Sequence, residues 1–475
     1  MNRSVRRAMP IALVLLSAAT ATAADAPTRG EAIDALRKAV TFFRGKVAVE
    51  GGYVWRYSAD LSKREGEGKV GLTTVWVEPP GTPAVGEALI EAYELTGERL
   101  CRDAARDAVG ALLRGQMHSG GWSDRVEFDP ARRRRYAYRV DGKVRSKARN
   151  YSTLDDNKTQ SALGFLLRYD RATDFADKPV HEAARYALDS LLKAQRPNGG
   201  WPQVYETPAD AATHPVRPAG YRDNGEYPRI KAYWHHDTLN DNLIPDAIRT
   251  LLRAWRVYDD DRAYQAVLRA GDFLILAQMP DPQPGWAQQY DRDMCPAWAR
   301  KFEPAAITGG ESQQAMDVLL DLYELTGNRK YLAPLAKALP YYKRSLLSDG
   351  RLARFYELKT NKPLYFTRDY SLTYSDADMP THYSFKVGSR LDRIEKRYRA
   401  LSARPWRAPK PPATKASRPS AGAVRKVIDA LDARGAWVDA GQLRYWGKAD
   451  PTKRIIDPRT FIRNVRLLAR YAQKP

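Results

Sequence analysis

Cysteine is almost missing from this chain: Cys101 and Cys295 are the only two in 475 residues. A disulfide-stapled scaffold is therefore excluded, and a single bridge between these two is left open. Histidine is nearly as scarce, at six residues. The one local pair, His235-His236, is adjacent in sequence, so the two rings point apart and zinc is disfavoured there. The apolar run at residues 9–16 is too short to span a bilayer. Acidic residues are in deficit, with 56 Asp and Glu against 78 Lys and Arg, for a net charge of +22.

What is present begins with a leader. Residues 1–24 combine basic Arg3, Arg6 and Arg7, the short apolar run, and an Ala-rich end, the pattern of a secretion signal. The reading is export to a periplasm or beyond, with no membrane attachment after cleavage. A strongly basic exported protein attracts polyanions, and export favours acidic polysaccharide over nucleic acid. Charged runs such as residues 132–135 (RRRR) also read as plain solvated surface.

The body of the chain repeats. Apolar residues at helical spacing form pairs of helices, each pair closing on a Gly-Trp turn, with Trp122, Trp201 and Trp286 recurring at about 80-residue intervals. A fourth copy from Ala315 lacks the Gly-Trp. Helix pairs of this kind bury their apolar faces only by stacking, which predicts an all-α fold, an α/α toroid with long loops at one mouth. The expected division is a leader at 1–24, a toroid at 25–403, a Pro/Lys-rich linker at 404–421 and a C-terminal helical extension at 422–475, the whole a monomer. The Q-x-x-x-G-x-W turns resemble those of triterpene cyclases and read as structural. Export, a charged mouth and the lack of a D-x-D-D motif argue against that chemistry. Trp201, followed by Pro202 and Gln203, is also a candidate platform for a sugar ring.

Three loops carry charge that no periodicity explains. TLDDN at residues 153–157 precedes a helix; one Asp would suffice for a helix cap, the plain alternative, but two carboxylates and an Asn exceed what a cap needs and suit Ca²⁺ or Mg²⁺. LNDN at residues 239–242 offers Asp241 as a second hard-cation or substrate contact. WARKFEPAAITGGES at residues 298–312 sets Arg300 between Trp298 and Phe302, with Glu303 and Glu311 as alternative ion-pair partners. Arg217, Arg222, Arg229 and Lys231 lie in a loop that either lines a cleft or is simply solvated.

These motifs, with GGWPQVY at 199–205, WAQQYD at 286–291 and RFYELKTNKPLY at 354–365, resemble the pectate lyases of polysaccharide lyase family ten, over residues 153–369. The resemblance implies a toroid that cleaves polygalacturonate by anti β-elimination with Ca²⁺. It places Asp155 and Asp241 as metal and substrate-carboxylate contacts, Asp155 also among the catalytic groups, and Arg300 as the proton-abstracting base. Asp156 beside them is an expected substrate contact, and Arg354 and Lys362 are expected carboxylate anchors, Arg354 being the better bidentate partner. Lys158 departs from the pattern, standing where that family usually has a small neutral residue. A glycoside hydrolase using Asp155 and Asp241 as acid and base, and a non-catalytic polyuronate-binding protein, are the competing readings.

Overall fold

The computed structural model describes residues 26–209, 214–408 and 418–474. The leader lies outside the described residues, as does half of the linker, residues 409–417. Among the described residues no helix is long and apolar enough to cross a membrane.

Among the described residues, twelve helices of nine residues or more alternate between an outer and an inner layer. The outer ones are α1 (Arg29–Phe42), α3 (Arg99–Gly115), α5 (Lys178–Ala194), α7 (Asp261–Leu276), α9 (Ala333–Arg344) and α11 (Ala421–Asp429). The inner ones are α2 (Thr82–Thr96), α4 (Lys158–Ala172), α6 (Leu243–Tyr258), α8 (Gly310–Thr326), α10 (Leu391–Ser402) and α12 (Pro458–Tyr471). α12 packs on α2, α2 on α4, α4 on α6 and α8 on α10, so the inner helices form the lining of an α/α toroid. Alanine and leucine at helical spacing, such as Ala183, Ala184, Ala187, Leu188 and Leu191 of α5, bury each helix face.

The outer helices end in related turns. In the second, third and fifth copies the backbone closes as Met117 to Gly121, Arg196 to Gly200 and Leu347 to Arg351. The left-handed residue that makes this closure is a glycine, as at Gly199 (φ 91°), where an added Cβ would strike the Arg269 carbonyl oxygen at 2.0 Å. The tryptophan then folds back, and the indole N–H of Trp122, Trp201 and Trp286 donates to the carbonyls of Leu112, Leu191 and Leu274. Gln116 and Gln195 tie each turn to the next outer helix through Ala183 and Ala266.

The same device recurs where the sequence reading placed an extension. Residues 432–437 repeat the turn with Gly435 at φ 96°, and the Trp437 indole donates to the Val427 carbonyl. The strand Asp439–Ala440 pairs with Arg454–Ile456, which in turn pairs with Arg56–Ser58 near the N-terminus. The expected C-terminal extension at 422–475 is thus one more hairpin of the wall, held by α12 against α1 and α2.

After each of these turns a short strand pairs with the strand that leads into an inner helix: Arg125–Glu127 with Thr74–Trp76, Val204–Tyr205 with Ser152–Thr153, Gln289–Tyr290 with Asp237–Thr238, and Phe355–Tyr356 with Ile307–Thr308. The repeat therefore delivers the segment just ahead of each inner helix to one mouth of the ring. Cys101 and Cys295 are both buried and free, so no bridge joins them.

Candidate functional site

The acidic site is built by that repeat. In Thr153-Leu154-Asp155-Asp156-Asn157 and Thr238-Leu239-Asn240-Asp241-Asn242 the Leu is buried, and its N–H donates to a carbonyl two residues past the tryptophan, Gln203 in one case and Gln288 in the other. The chain then makes a tight turn with two successive left-handed residues, Asp156 (φ 46°) and Asn157 (φ 60°), or Asp241 (φ 52°) and Asn242 (φ 59°). Asp and Asn tolerate this region better than other side-chain-bearing residues. The two turns lie against each other. The side chains of the same two glutamines reach in, Gln203 to Asp155 at 2.6 Å and Gln288 to Asn240 at 3.2 Å.

The outcome is a cluster in which carboxylate oxygens of Asp155, Asp156 and Asp241 lie within 4.8 Å of one another. Burial, then the charges of Asp155 and Asp156, push the Asp241 carboxyl up to about 8. Burial and Asp155 also raise Asp156 above the usual carboxylate range. As a cluster of hard oxygen donors, the three carboxylates fit a divalent ion such as Ca²⁺.

Arg300 faces this cluster. Its guanidinium grips Glu303 through two hydrogen bonds of 2.6 and 2.5 Å and stands 3.9 Å from Asp241. Burial works against its charge, but the Glu303 carboxylate outweighs burial and holds it above its ordinary value. The Glu303 alternative for its partner is thus the one formed. Its planar group also lies over Phe302 and Tyr383.

Arg354 joins the site through Tyr383: it stacks on that ring at 4.5 Å and bonds the hydroxyl at 3.3 Å, while also pairing with Glu311. Its carbonyl accepts from Gly309 as those of Gln203 and Gln288 accept from Leu154 and Leu239, so it occupies their position in another copy of the repeat.

Two expected substrate contacts are placed elsewhere. Trp201 is fully buried with its indole spent on Leu191, so it offers no face to a sugar ring; its role is to close the turn. Lys362 is exposed on the hairpin beyond Phe355–Tyr356, with its ammonium 5.3 Å from the Tyr374 ring, and no contact of its side chain among the described residues reaches the acidic cluster. In the basic loop, Arg222 is bound to Asp291, Arg217 stands 3.6 Å from Asp293, and Arg229 bonds the Ala299 carbonyl. His236 is pushed down to about 4, chiefly by burial.

Several site residues escaped the sequence reading. Glu78 occupies in the first copy the place of Asp155, since Val77 bonds the Asp124 carbonyl as Leu154 bonds that of Gln203. Gln203, which follows Trp201 in the GGWPQVY motif, is the side chain that reaches Asp155. The Tyr383 hydroxyl donates to Glu303 at 3.0 Å, and the Tyr233 phenol is close enough to feel Arg300, Glu303, Asp155 and Asp241. Glu78 and Gln203 were visible as fixed offsets within the repeat; the two tyrosines carry no sequence signal.

Comparison with known proteins adds three findings. Residues 116–349 match the model of a family described as pectic acid lyase. Among solved structures, a family 10 polysaccharide lyase from Cellvibrio cellulosa, determined in complex with trigalacturonic acid, is 20% identical, with 67% of this chain and 98% of that one covered at a TM-score of 0.46. Cellobiose 2-epimerase from Spirochaeta thermophila is 16% identical, with 69% and 72% covered at a TM-score of 0.42. No curated protein matches the sequence.

Proposed function

We propose, on the premise that this chain belongs through residues 116–349 to the pectic acid lyase family, that it is an exported pectate lyase cleaving polygalacturonate by calcium-assisted β-elimination. The observation that carries this reading is the meeting of Asp155, Asp156 and Asp241 with Arg300 at one mouth of the toroid.

The proton to be removed sits on the carbon alpha to a uronate carboxylate, and the glycosidic oxygen leaves from the beta carbon. Negative charge builds on the carboxylate as the proton departs. A calcium ion held by Asp155, Asp156 and Asp241 would supply charge stabilisation at that carboxylate. Arg354, anchored by Glu311 and Tyr383, presents a positive group to a further carboxylate of the chain.

Arg300 is the residue assigned to take the proton. Guanidinium resists deprotonation in proteins, and Glu303 strengthens that resistance here. To act as a base, Arg300 must give up its Glu303 pair and lose its own proton to solvent before it takes the substrate's, so turnover rises toward alkaline pH. Tyr383, bonded to the same Glu303 carboxylate, is placed to hold Glu303 when Arg300 lets go.

The test is incubation of the purified protein with polygalacturonate. A lyase gives products with a new unsaturated end, seen as growing ultraviolet absorbance that stops on chelation and returns with Ca²⁺. New reducing ends without unsaturation would mean hydrolysis, and binding without product would mean a polyuronate-binding protein.

A further inference from the structure

One charged group in the acidic site has no part in the reading above. Lys158, the first residue of α4, follows directly on the TLDDN turn, and its side chain is only 4% exposed. The ammonium lies 3.1 Å from Glu78, 3.2 Å from Asp155 and 3.6 Å from Asp156. The equivalent position after the second turn is Leu243, wholly buried and apolar. One of two turns with the same backbone course thus carries a buried cation, directed at two of the three carboxylates that form the ion site.

We propose that Lys158 is a resident cation of the acidic cluster: it keeps the carboxylates assembled without metal and lowers their affinity for a divalent ion. The inference rests on the calcium reading of this site. One observation supports it beyond proximity. Among the described residues Glu78 makes no side-chain bond to the turn other than through Lys158, so the ammonium bridges two copies of the repeat, the turn before α2 and the turn before α4.

The physical consequence has a definite sign. A divalent ion placed among Asp155, Asp156 and Asp241 shares two of its carboxylates with a fixed positive charge a few ångström away, and like charges at that distance repel strongly even under surface screening. Without the ammonium, the carboxylates repel one another in the metal-free protein and attract the ion more.

Calcium titration by calorimetry and calcium-dependent thermal unfolding, on the intact protein, on Lys158→Met and Lys158→Gln, and on Lys158→Arg, test this. Gln keeps a hydrogen-bond donor toward Glu78 and Asp155 and guards against loss of the fold. The expected result is calcium affinity raised about tenfold or more in Met and Gln, a metal-free melting midpoint that falls and is restored by calcium, and both quantities near the parent in Arg. Binding in the variants but not in the parent also supports the inference. A parent that binds calcium, with folded Met and Gln variants no tighter, overturns the inference and leaves the calcium site standing. Absence of binding in all four overturns both.

Discussion

Residues 153–157 and 238–242 are two copies of one turn, TLDDN and TLNDN, with the same strand before them, the same pair of left-handed residues, and the same glutamine contact from the neighbouring repeat. They differ at four points from the strand to the first helical residue. Asp155 corresponds to Asn240, Lys158 to Leu243, Tyr151 to His236 and Ser152 to Asp237. The first turn is rich in carboxylate and brings its own cation. The second has one carboxylate, Asp241, and borrows positive charge from Arg300 across the mouth at 3.9 Å. Two turns with one backbone thus do different work: the first is an acidic cradle already balanced, and the second is where the acidic cluster meets the guanidinium.

This division can be broken experimentally, and the largest effect belongs to the second turn's partner. Arg300→Ala is expected to cut turnover of polygalacturonate by about 10²- to 10⁴-fold while leaving the circular dichroism spectrum native. Activity within a factor of two would remove Arg300 from the reaction.

Glu303→Gln sharpens the same point. Its carboxylate raises the pKa of Arg300, so weakening that pair lowers it, and the alkaline limb of the pH–rate profile should move down by roughly one unit or more. An unmoved limb would assign that limb to another group.

Asn240→Asp makes the second turn resemble the first without giving it a lysine. Asn240 donates to Asp241 at 2.9 Å, and the change replaces that donor with a charge beside Asp241 and Glu303. A loss of about 1–3 kcal/mol in metal-free stability is expected, partly recovered with calcium. Denaturant unfolding with and without calcium measures it, and an unchanged midpoint would show that the second turn tolerates what the first is built to hold.

The smallest effect concerns His236. Burial lowers its folded pKa to about 4 from an ordinary value near 6.5, so the unfolded chain binds a proton that the folded chain refuses between those values. The stability due to its neutral form is complete above about 6.5 and is lost as pH falls toward about 4. His236→Gln should flatten the acid side of the stability curve over that window, and an identical slope in both proteins would contradict the assignment.

Much of this was legible in the sequence, and the reason is repetition. Each copy that keeps Gly-Trp announced itself, and the charged residues outside the apolar period marked the turns at 155–156, 241 and 300. The first copy was hidden because Tyr53 stands where four of the other five have Trp, and the last because α11 is only nine residues long and follows a Pro/Lys-rich stretch. Trp201 was overvalued for a physical reason: an aromatic beside a candidate site suggests a platform, whereas here the indole is consumed by the turn that positions Gln203. Glu303 was seen only as one possible partner of Arg300, because a pair formed within a loop has no periodicity to reveal it. The position of Lys362 depended on which way a hairpin pointed, which alternation of residues does not encode.

The account stands on the second turn and Arg300 acting at one uronate ring, and a double-mutant cycle on kcat/KM addresses that directly. With Arg300→Ala, Asp241→Asn and the double variant assayed on polygalacturonate, residues serving one transition state predict a double variant little worse than the poorer single. Losses that multiply in full would mean that the two residues act independently, and the shared site would be wrong.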